Sequence, residues 1–397
     1  MILREVEDRS GEAKTLNNIG TISSVLGEKE KAIDYYEQAL PIHREVRDRA
    51  GEAITLNNIG RVYNDKGEGK TALDYYEQAL AIHREVRSRS SEANTLSNIA
   101  LLHQQARDLQ TALESISSAI SIIEDLRANL NSAELRASYF STVQGYYRLK
   151  SDILMQMGQP EVAFETSEAA RGRVLVELLN EANIDIREGV STELIEEEDK
   201  IRRELLVIDQ KYSALRSRDH DYNEVIELDR QSDELLQELD KVLSRISQVS
   251  PAYAETVQPK PLGLPQIQQK VLDEETILFQ YSLGEEQSYL WVVGADSFQS
   301  YVLPSRSEIE SVARQFRSVT TTDSRTSLVN RKGRELVELI LPELPEWTKD
   351  KRLVVSGDGI LSELAFGALP LPNYEEYTPF LVEHEILTQS SISSVDI

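Results

Sequence analysis

The stretch TLNNIG at residues 15–20 returns letter for letter at residues 55–60, and a degraded copy, TLSNIA, stands at 95–100. The stride is 40 each time, and residues 11–50 share 26 identities in 40 positions with residues 51–90. Duplication at a period of this size is the signature of stacked supersecondary units, each burying its apolar face against the next. Within a unit the spacing predicts two helices. Ala13, Leu16 and Ile19 recur on one helical face, Gly27 interrupts the pattern, and Ala32, Tyr36 and Ala39 mark the face of a second helix. Glycine at the interruption suits a residue that follows a helix end with positive φ.

These residues resemble the tetratricopeptide repeat. Its slots are answered by Leu16, Ile19, Gly20, Gly27, Ala32, Tyr36 and Ala39 in the first copy. The second gives Leu56, Ile59, Gly60, Tyr63, Gly67, Ala72, Tyr76 and Ala79. A third copy is looser, with Leu96, Ile99, Ala100, Ala112, Ile116 and Ala119, and Arg107 in the turn-glycine slot. A divergent fourth runs through Tyr147, Leu154, Gly158, Ala163 and Ala170. The stride exceeds the family's usual 34, as in its kinesin-light-chain-like subgroup. The resemblance implies an α-solenoid over residues 1–180, strongest at 11–125. The segment LREVEDRS at 3–10 repeats HREVRDRA at 43–50. The chain is thus expected to start inside the second helix of an earlier unit, with that helix acting as a cap as the alternative.

Such arrays bind a protein or peptide on the concave stripe of the first helices. That stripe is expected at Asn17, Thr21 and Ser24, then Asn57, Arg61 and Asn64, then Ser97, Leu101 and Gln104. Amide side chains both donate and accept, so they can pair with the backbone of an extended peptide. Asn17 and Asn57 are assigned to that groove, and Asn18, Asn58 and Asn98 to bonds between helices.

Beyond residue 180 the composition turns acidic. Leu194, Ile201, Leu205, Ile208, Tyr212 and Leu215, and then Val225, Leu228, Leu235, Leu239, Val242, Ile246 and Val249, keep a 3–4 alternation. This is the seam of two long antiparallel helices, a connector over 181–258 that turns near His220. The acidic run at 196–199 reads as a solvated helix face.

In the last third the period changes. TILFQYS, SYLWVV and FQSYVL are short, β-branched and aromatic, and read as three strands joined by tight turns. Helical patterns follow at 305–319 and 326–341. A strand at 352–355 then runs into Gly357-Asp358-Gly359, and a last strand is expected in FLVEHEIL. The Asp358-Gly359 turn, followed by Leu361, Leu364, Phe366, Ala368 and Leu369, resembles the CHAT domain, a caspase-like module found behind tetratricopeptide repeats. RGRVLVELL at 171–179 is similar to the helix that precedes it. Ser356 and Ala365 stand where the family motif has proline. The resemblance implies that 266–397 is the front part of an α/β caspase-like domain, and that the complete family form is a regulated cysteine peptidase with a His–Cys dyad. Neither dyad element is matched before Ile397, so the chain is expected to stop short of the dyad and to be inactive as it stands. An inactive scaffold complete in itself is the alternative, and a hydrolase using Ser356 or Asp358 with His384 is a further one.

The composition narrows the remaining classes. A net charge of −25 argues against a nucleic-acid or anionic-membrane surface. The chain has no cysteine, so no disulfide, thiolate metal site or cysteine nucleophile lies within it. Such usage fits a cytoplasmic location. No phosphate-binding or dinucleotide fingerprint is present, and no cofactor is expected. His43 and His83, 40 residues apart, read as repeat positions and not as metal ligands.

Overall fold

The computed structural model describes residues 8–128, 133–181, 190–215, 222–250, 262–321, 326–371, 377–382 and 384–388. The repeat match at 3–7 and the turn holding His220 lie outside these residues. The chain divides into two compact units, one of Met1–Leu130 with Ser141–Met157 and the other of Asn131–Phe140 with Gly158–Ile397.

The first unit is built from helix-turn-helix pairs. They are α1 (Arg9–Val25) with α2 (Lys29–Glu45), α3 (Arg49–Asp65) with α4 (Gly69–Glu85), and α5 (Arg89–Gln105) with α6 (Leu109–Ala128). The later part of α7 (Ala133–Gln156) joins them. Small residues let the backbones close up: Ala32, Ala39, Ala53, Ala72, Ala79, Ala93, Ala112 and Ala119 are all fully buried. Tyr36 and Tyr76 fill the space between them and are buried as well. Ile59 and Val62 of α3 pack on Ala32, Ile33 and Tyr36 of α2, so each pair hands its second helix to the next pair's first. The first copy departs from the expected pattern. Ala13 is buried, but Leu16 is half-buried and Ile19 is exposed, whereas Leu56 and Ile59 at the same positions are 1% exposed. Among the described residues no helix covers on α1 the face that α2 covers on α3.

A ladder of ion pairs crosses the same junctions. Arg44 Nε donates to Glu52 Oε1 at 2.7 Å, and Arg49 donates to Glu52 at 2.5 Å and to Glu85 at 2.6 Å. One stride later Arg84 and Arg89 hold Glu92 at 2.9 and 3.1 Å. Glu52 and Glu92 are buried carboxylates, and charge-assisted hydrogen bonds from two guanidinium groups each are what make that burial tolerable. The repeated HRE and R-x-x-E lettering encodes this ladder.

Turns within a pair use Gly27 and Gly67 at φ +78° and +77°, while Arg107 takes the same place at φ +63°. A Cβ in the left-handed region costs roughly 1–2 kcal/mol, offset in part by the smaller unfolded-state entropy of a non-glycine residue. Arg107→Gly is therefore expected to raise stability by about 0.5–1 kcal/mol, and Gly67→Ala to lower it by about 1 kcal/mol. Shifts of the urea midpoint in these opposite directions are the check, and a destabilised Arg107→Gly would refute the account.

In the second unit α8 (Pro160–Glu181) is followed by a hairpin of α9 (Thr192–Leu215) and α10 (Tyr222–Val249). Leu194, Ile201, Leu205, Leu239, Val242 and Ile246 form its seam. Val249, expected there, is 58% exposed, because α10 ends at that residue. Then come β1 (Thr276–Ser282), β2 (Ser288–Val293), β3 (Phe298–Leu303), α11 (Arg306–Thr320), α12 (Thr326–Ile340), β4 (Arg352–Ser356) and β5 (Ile386–Thr388). The strands make one mixed sheet of order β3-β2-β1-β4-β5. The hairpins β1–β2 and β2–β3 are antiparallel, whereas β1–β4 and β4–β5 are parallel. The expected last strand is shorter than FLVEHEIL, since Phe380–Val382 forms a 3-10 turn and only 386–388 pairs. Ile277, Phe279 and Tyr281 face a core shared with Ile309, Phe316, Leu336 and Ile340 of α11 and α12. The alternate residues of β1 and β2 meet α8: Gln280 donates to Ser167 at 3.2 Å, and Phe164 sits edge-on to Trp291. Both sheet faces are thus covered, which explains why β1 and β2 are buried at every position.

Candidate functional site

The expected groove residues all stand on the first helices of the first unit. They divide into two sets. Asn17 and Asn57 are half-buried and their side-chain oxygens are engaged by the next first helix. Thr55 Oγ1 donates to Asn17 Oδ1 at 3.2 Å and Asn58 Nδ2 donates to the same atom at 3.3 Å. Thr95 and Asn98 do the same to Asn57 Oδ1, both at 3.1 Å. The two asparagines of the repeated TLNNIG are thus the two ends of one ladder: the first accepts and the second, one stride on, donates. The ladder uses only the oxygen of Asn17 and Asn57, and their amide N–H groups are the part of these side chains outside it. Thr21 accepts from Tyr36 OH at 3.1 Å and donates to the Asn17 carbonyl, also at 3.1 Å. Gln104 is buried and donates to Asp152 of α7.

Arg61 and Asn64 are half-buried and take no part in the ladder. Burial pushes the Tyr76 phenol well above its usual value; Asp65 adds to the rise and Arg61 opposes it, so the guanidinium is close enough to be felt there. Arg61 is therefore the cationic point of this stripe. Reading the sequence found the asparagines but missed Thr55 and Thr95. The T-x-N word at a fixed stride was the signal.

Two histidines next to the repeat junctions behave differently. His43 Nδ1 lies 3.0 Å from Asp48 Oδ2, and that bond holds the Asp48 carboxyl below its usual range. His83 has Ser88 at the equivalent place; its Nδ1 is buried with no hydrogen-bond partner, and burial pushes its pKa down to about 4. Among the described residues no group of three His, Asp or Glu side chains is placed to hold a metal ion, and no helix is long and apolar enough to cross a membrane.

In the second unit the motif turn lies at the carboxyl ends of the parallel pair β1 and β4. Asp358 accepts from the Leu283 N–H at 2.7 Å and from Arg306 at 3.3 Å, and Arg306 also donates to the Leu283 carbonyl at 2.8 Å. Gly359 adopts φ +55°, and a Cβ there would approach Arg306 Nη1 to 3.1 Å. Arg171 of α8 reaches the same corner and donates to Ser356 Oγ at 2.6 Å, to the Gly357 carbonyl at 2.9 Å and to the Tyr281 carbonyl. Ser356 is fully buried beneath that guanidinium. His384 bonds instead to the carbonyl of Lys351, before the other end of β4, at 2.8 Å. Five residues at about 3.3 Å each separate Lys351 from Ser356 by about 16 Å. The geometry brings Ser356 and Asp358 together but does not bring His384 to them.

Two tetratricopeptide repeat family models match the chain, one at residues 13–48 and one at residues 51–125. Those residues carry tetratricopeptide repeats. Among solved structures the chain is similar to BtubC (BKLC) from P. vanneervenii, at 16% identity and a TM-score of 0.34. That alignment covers 43% of this chain and 65% of the other, slightly less than two thirds of it. A putative kinesin light chain from Podosopora anserina, described as having nearly identical TPR-like repeats, is similar at 16% identity and a TM-score of 0.32, with 58% and 95% covered. No curated protein matches.

Proposed function

We propose that this chain is a protein-interaction scaffold in which the repeats take an extended peptide along the concave stripe of α1, α3 and α5. What supports the reading is the arrangement of Asn17 and Asn57. The ladder occupies their oxygens and holds both side chains at one repeat spacing, with amide donors to spare. Arg61 adds one cation to a polar stripe, which favours a peptide bearing a carboxylate opposite it. We further infer that the mixed sheet is the front part of a CHAT-like, caspase-related domain. Support for that comes from the strand that runs into Gly357-Asp358-Gly359, and from the burial of Leu361, Leu364, Phe366 and Leu369 behind it. A thiolate nucleophile needs a thiol, and these 397 residues contain none.

Arg61→Ala and Asn64→Ala test the groove without touching the ladder. Against a partner peptide selected from a display library, each is expected to weaken binding by about tenfold, or about 1.4 kcal/mol. Anisotropy titrations that give wild-type affinity for both variants would move the site off this stripe.

A further inference from the structure

Among the described residues β3 lies at one end of the sheet, next to β2 alone. Its pairing with β2 runs residue for residue, from Phe298 opposite Val293 to Leu303 opposite Ser288. At the turn between them Gly294 and Ser297 exchange both backbone bonds. Gly294 N–H donates to the Ser297 carbonyl at 2.9 Å, and Ser297 N–H donates to the Gly294 carbonyl at 3.4 Å. Hydrogen-bonded pairs alternate along an antiparallel ladder. Gln299, Tyr301 and Leu303 therefore direct their backbone groups to β2, and Phe298, Ser300 and Val302 direct theirs away from the sheet. Among the described residues no hydrogen bond reaches these outward N–H and carbonyl groups.

Nothing in β3 disguises this edge. Sheet edges are ordinarily blunted by proline, by a charged side chain or by a bulge, and FQSYVL has none of these. Phe298 sits edge-on to Phe164 of α8, so Phe298, Ser300 and Val302 share the face that looks to α8. Val302 on that face is 61% exposed, a β-branched residue open to a cross-strand neighbour. Tyr301 lies on the opposite face, and its hydroxyl donates to the Glu343 carbonyl at 3.3 Å. Carboxylates rim the strand. Asp296 stands in the β2–β3 turn, Glu285 and Glu286 stand in the β1–β2 turn just before Ser288, and these three and Glu343 are all exposed. Burial raises the Tyr301 phenol above its usual value and the Glu343 carboxylate adds to the rise, which puts that charge beside the strand. A second copy of β3 would bring the same carboxylates against these, whereas a cationic strand would complement them.

We propose that β3 is a site of strand addition, and that its occupant is an extended peptide with β-branched residues at its centre and lysine or arginine on both flanks. The peptide's backbone pairs with the outward groups of Phe298, Ser300 and Val302, and a β-branched side chain packs against Val302. Main-chain bonds give such a complex its affinity, and the side chains on either face and at the flanks give it specificity. This site belongs to the sheet of the second unit and is separate from the repeat groove.

The probe is a fluorescein-labelled peptide of sequence KKVTVTVKK, titrated into the full chain and followed by anisotropy. Saturable binding below about 1 mM is expected. A peptide of sequence EEVTVTVEE, and a KKVTVTVKK peptide N-methylated at alternate central residues, should each bind at least about tenfold more weakly. Ser300→Pro in the protein should do the same. Proline is tolerated on an edge strand where its missing N–H faced solvent, so the circular dichroism of this variant should match wild type. The N-methylated peptide gives the same test with the protein unchanged. Arg61→Ala should leave binding intact. Absence of saturable binding, equal affinity for the N-methylated or the acidic peptide, or a loss of binding with Arg61→Ala would overturn the proposal. So would sedimentation of the free chain as a dimer that Ser300→Pro dissociates, since the occupant would then be a second copy.

Discussion

Arg171→Met is expected to destabilise the second unit by about 3 kcal/mol, the largest effect of any substitution considered for this chain. The guanidinium supplies donors to Ser356 Oγ and to the carbonyls of Gly357 and Tyr281, at the corner where β1 and β4 end. Methionine keeps most of the aliphatic volume and provides no donor. Each buried acceptor left without a partner costs about 1–3 kcal/mol. Burial alone pushes the Arg171 pKa down, with Asp358 and Glu168 acting against that shift, so the charge is held by its surroundings and not by water. Arg171→Lys should recover only part of the loss, because an ammonium cannot spread its donors as a planar fork does. Urea unfolding followed by tryptophan fluorescence is the appropriate measurement, since Trp291 sits on the sheet face that α8 covers. A midpoint for Arg171→Met within the equivalent of about 1 kcal/mol of wild type would show that the corner is held by other contacts.

The second large effect is on acid stability. His83 is 2% exposed, its Nδ1 has no partner, and its pKa is depressed to about 4 from an ordinary 6.5. Burial is the main cause, and the nearby Glu92 opposes it only partly. The unfolded chain therefore binds a proton that the folded chain does not, between about pH 6.5 and pH 4. Stability from this group is complete above about 6.5, falls as the pH drops toward 4 and changes no further below that. A shift of this size corresponds to about 3 kcal/mol at most. Ser88→Asp supplies the carboxylate that Asp48 supplies to His43. It should raise the His83 pKa, flatten the loss below pH 6.5 and add about 1 kcal/mol at neutral pH by capping α5, whose cap residue Ser88 now bonds to the Ser91 hydroxyl and not to a backbone N–H of the first turn. An NMR titration of the His83 ring in both proteins, with thermal midpoints at pH 7 and pH 5, is the check. A ring that titrates near 6.5 in the wild type, or an unchanged acid loss in Ser88→Asp, would defeat this explanation.

The first effect arises where side chains meet across a long sequence distance and the second where packing buries a ring, and this sets the limit of what could be read in advance. The helix pairs were legible because the 40-residue stride repeats the slots that let helices approach. So were the positions of the strands, from short β-branched runs, and the seam of the α9–α10 hairpin from its 3–4 alternation. The ladder was half legible. Asn18, Asn58 and Asn98 were expected between helices; Asn58 and Asn98 stand there and Asn18 is exposed, and that Asn17 and Asn57 accept the hydrogen bonds depends on how far one first helix is offset from the next. The left-handed turn at Arg107 was hidden by its side chain, since sequence reading expects glycine there. The exposure of Ile19 and Ile22 was invisible for a similar reason: they carry the same letters or types as their buried copies, and only a neighbour decides burial.

The amino-acid sequence by itself determined the repeat, its helix-turn-helix unit, the absence of any thiol and the change of period that starts the sheet. All of these are local or periodic properties, carried by residue type and spacing. Tertiary structure alone decided that Arg171, 185 residues before Ser356, closes the corner of β1 and β4. It also decided that Ser356 and His384 belong to opposite ends of one strand, and that Ile19 and Ile22 are exposed where Ile59 and Val62 are buried. The physical reason is the same in each case: hydrogen bonding and burial are properties of pairs, and a sequence names only one member at a time.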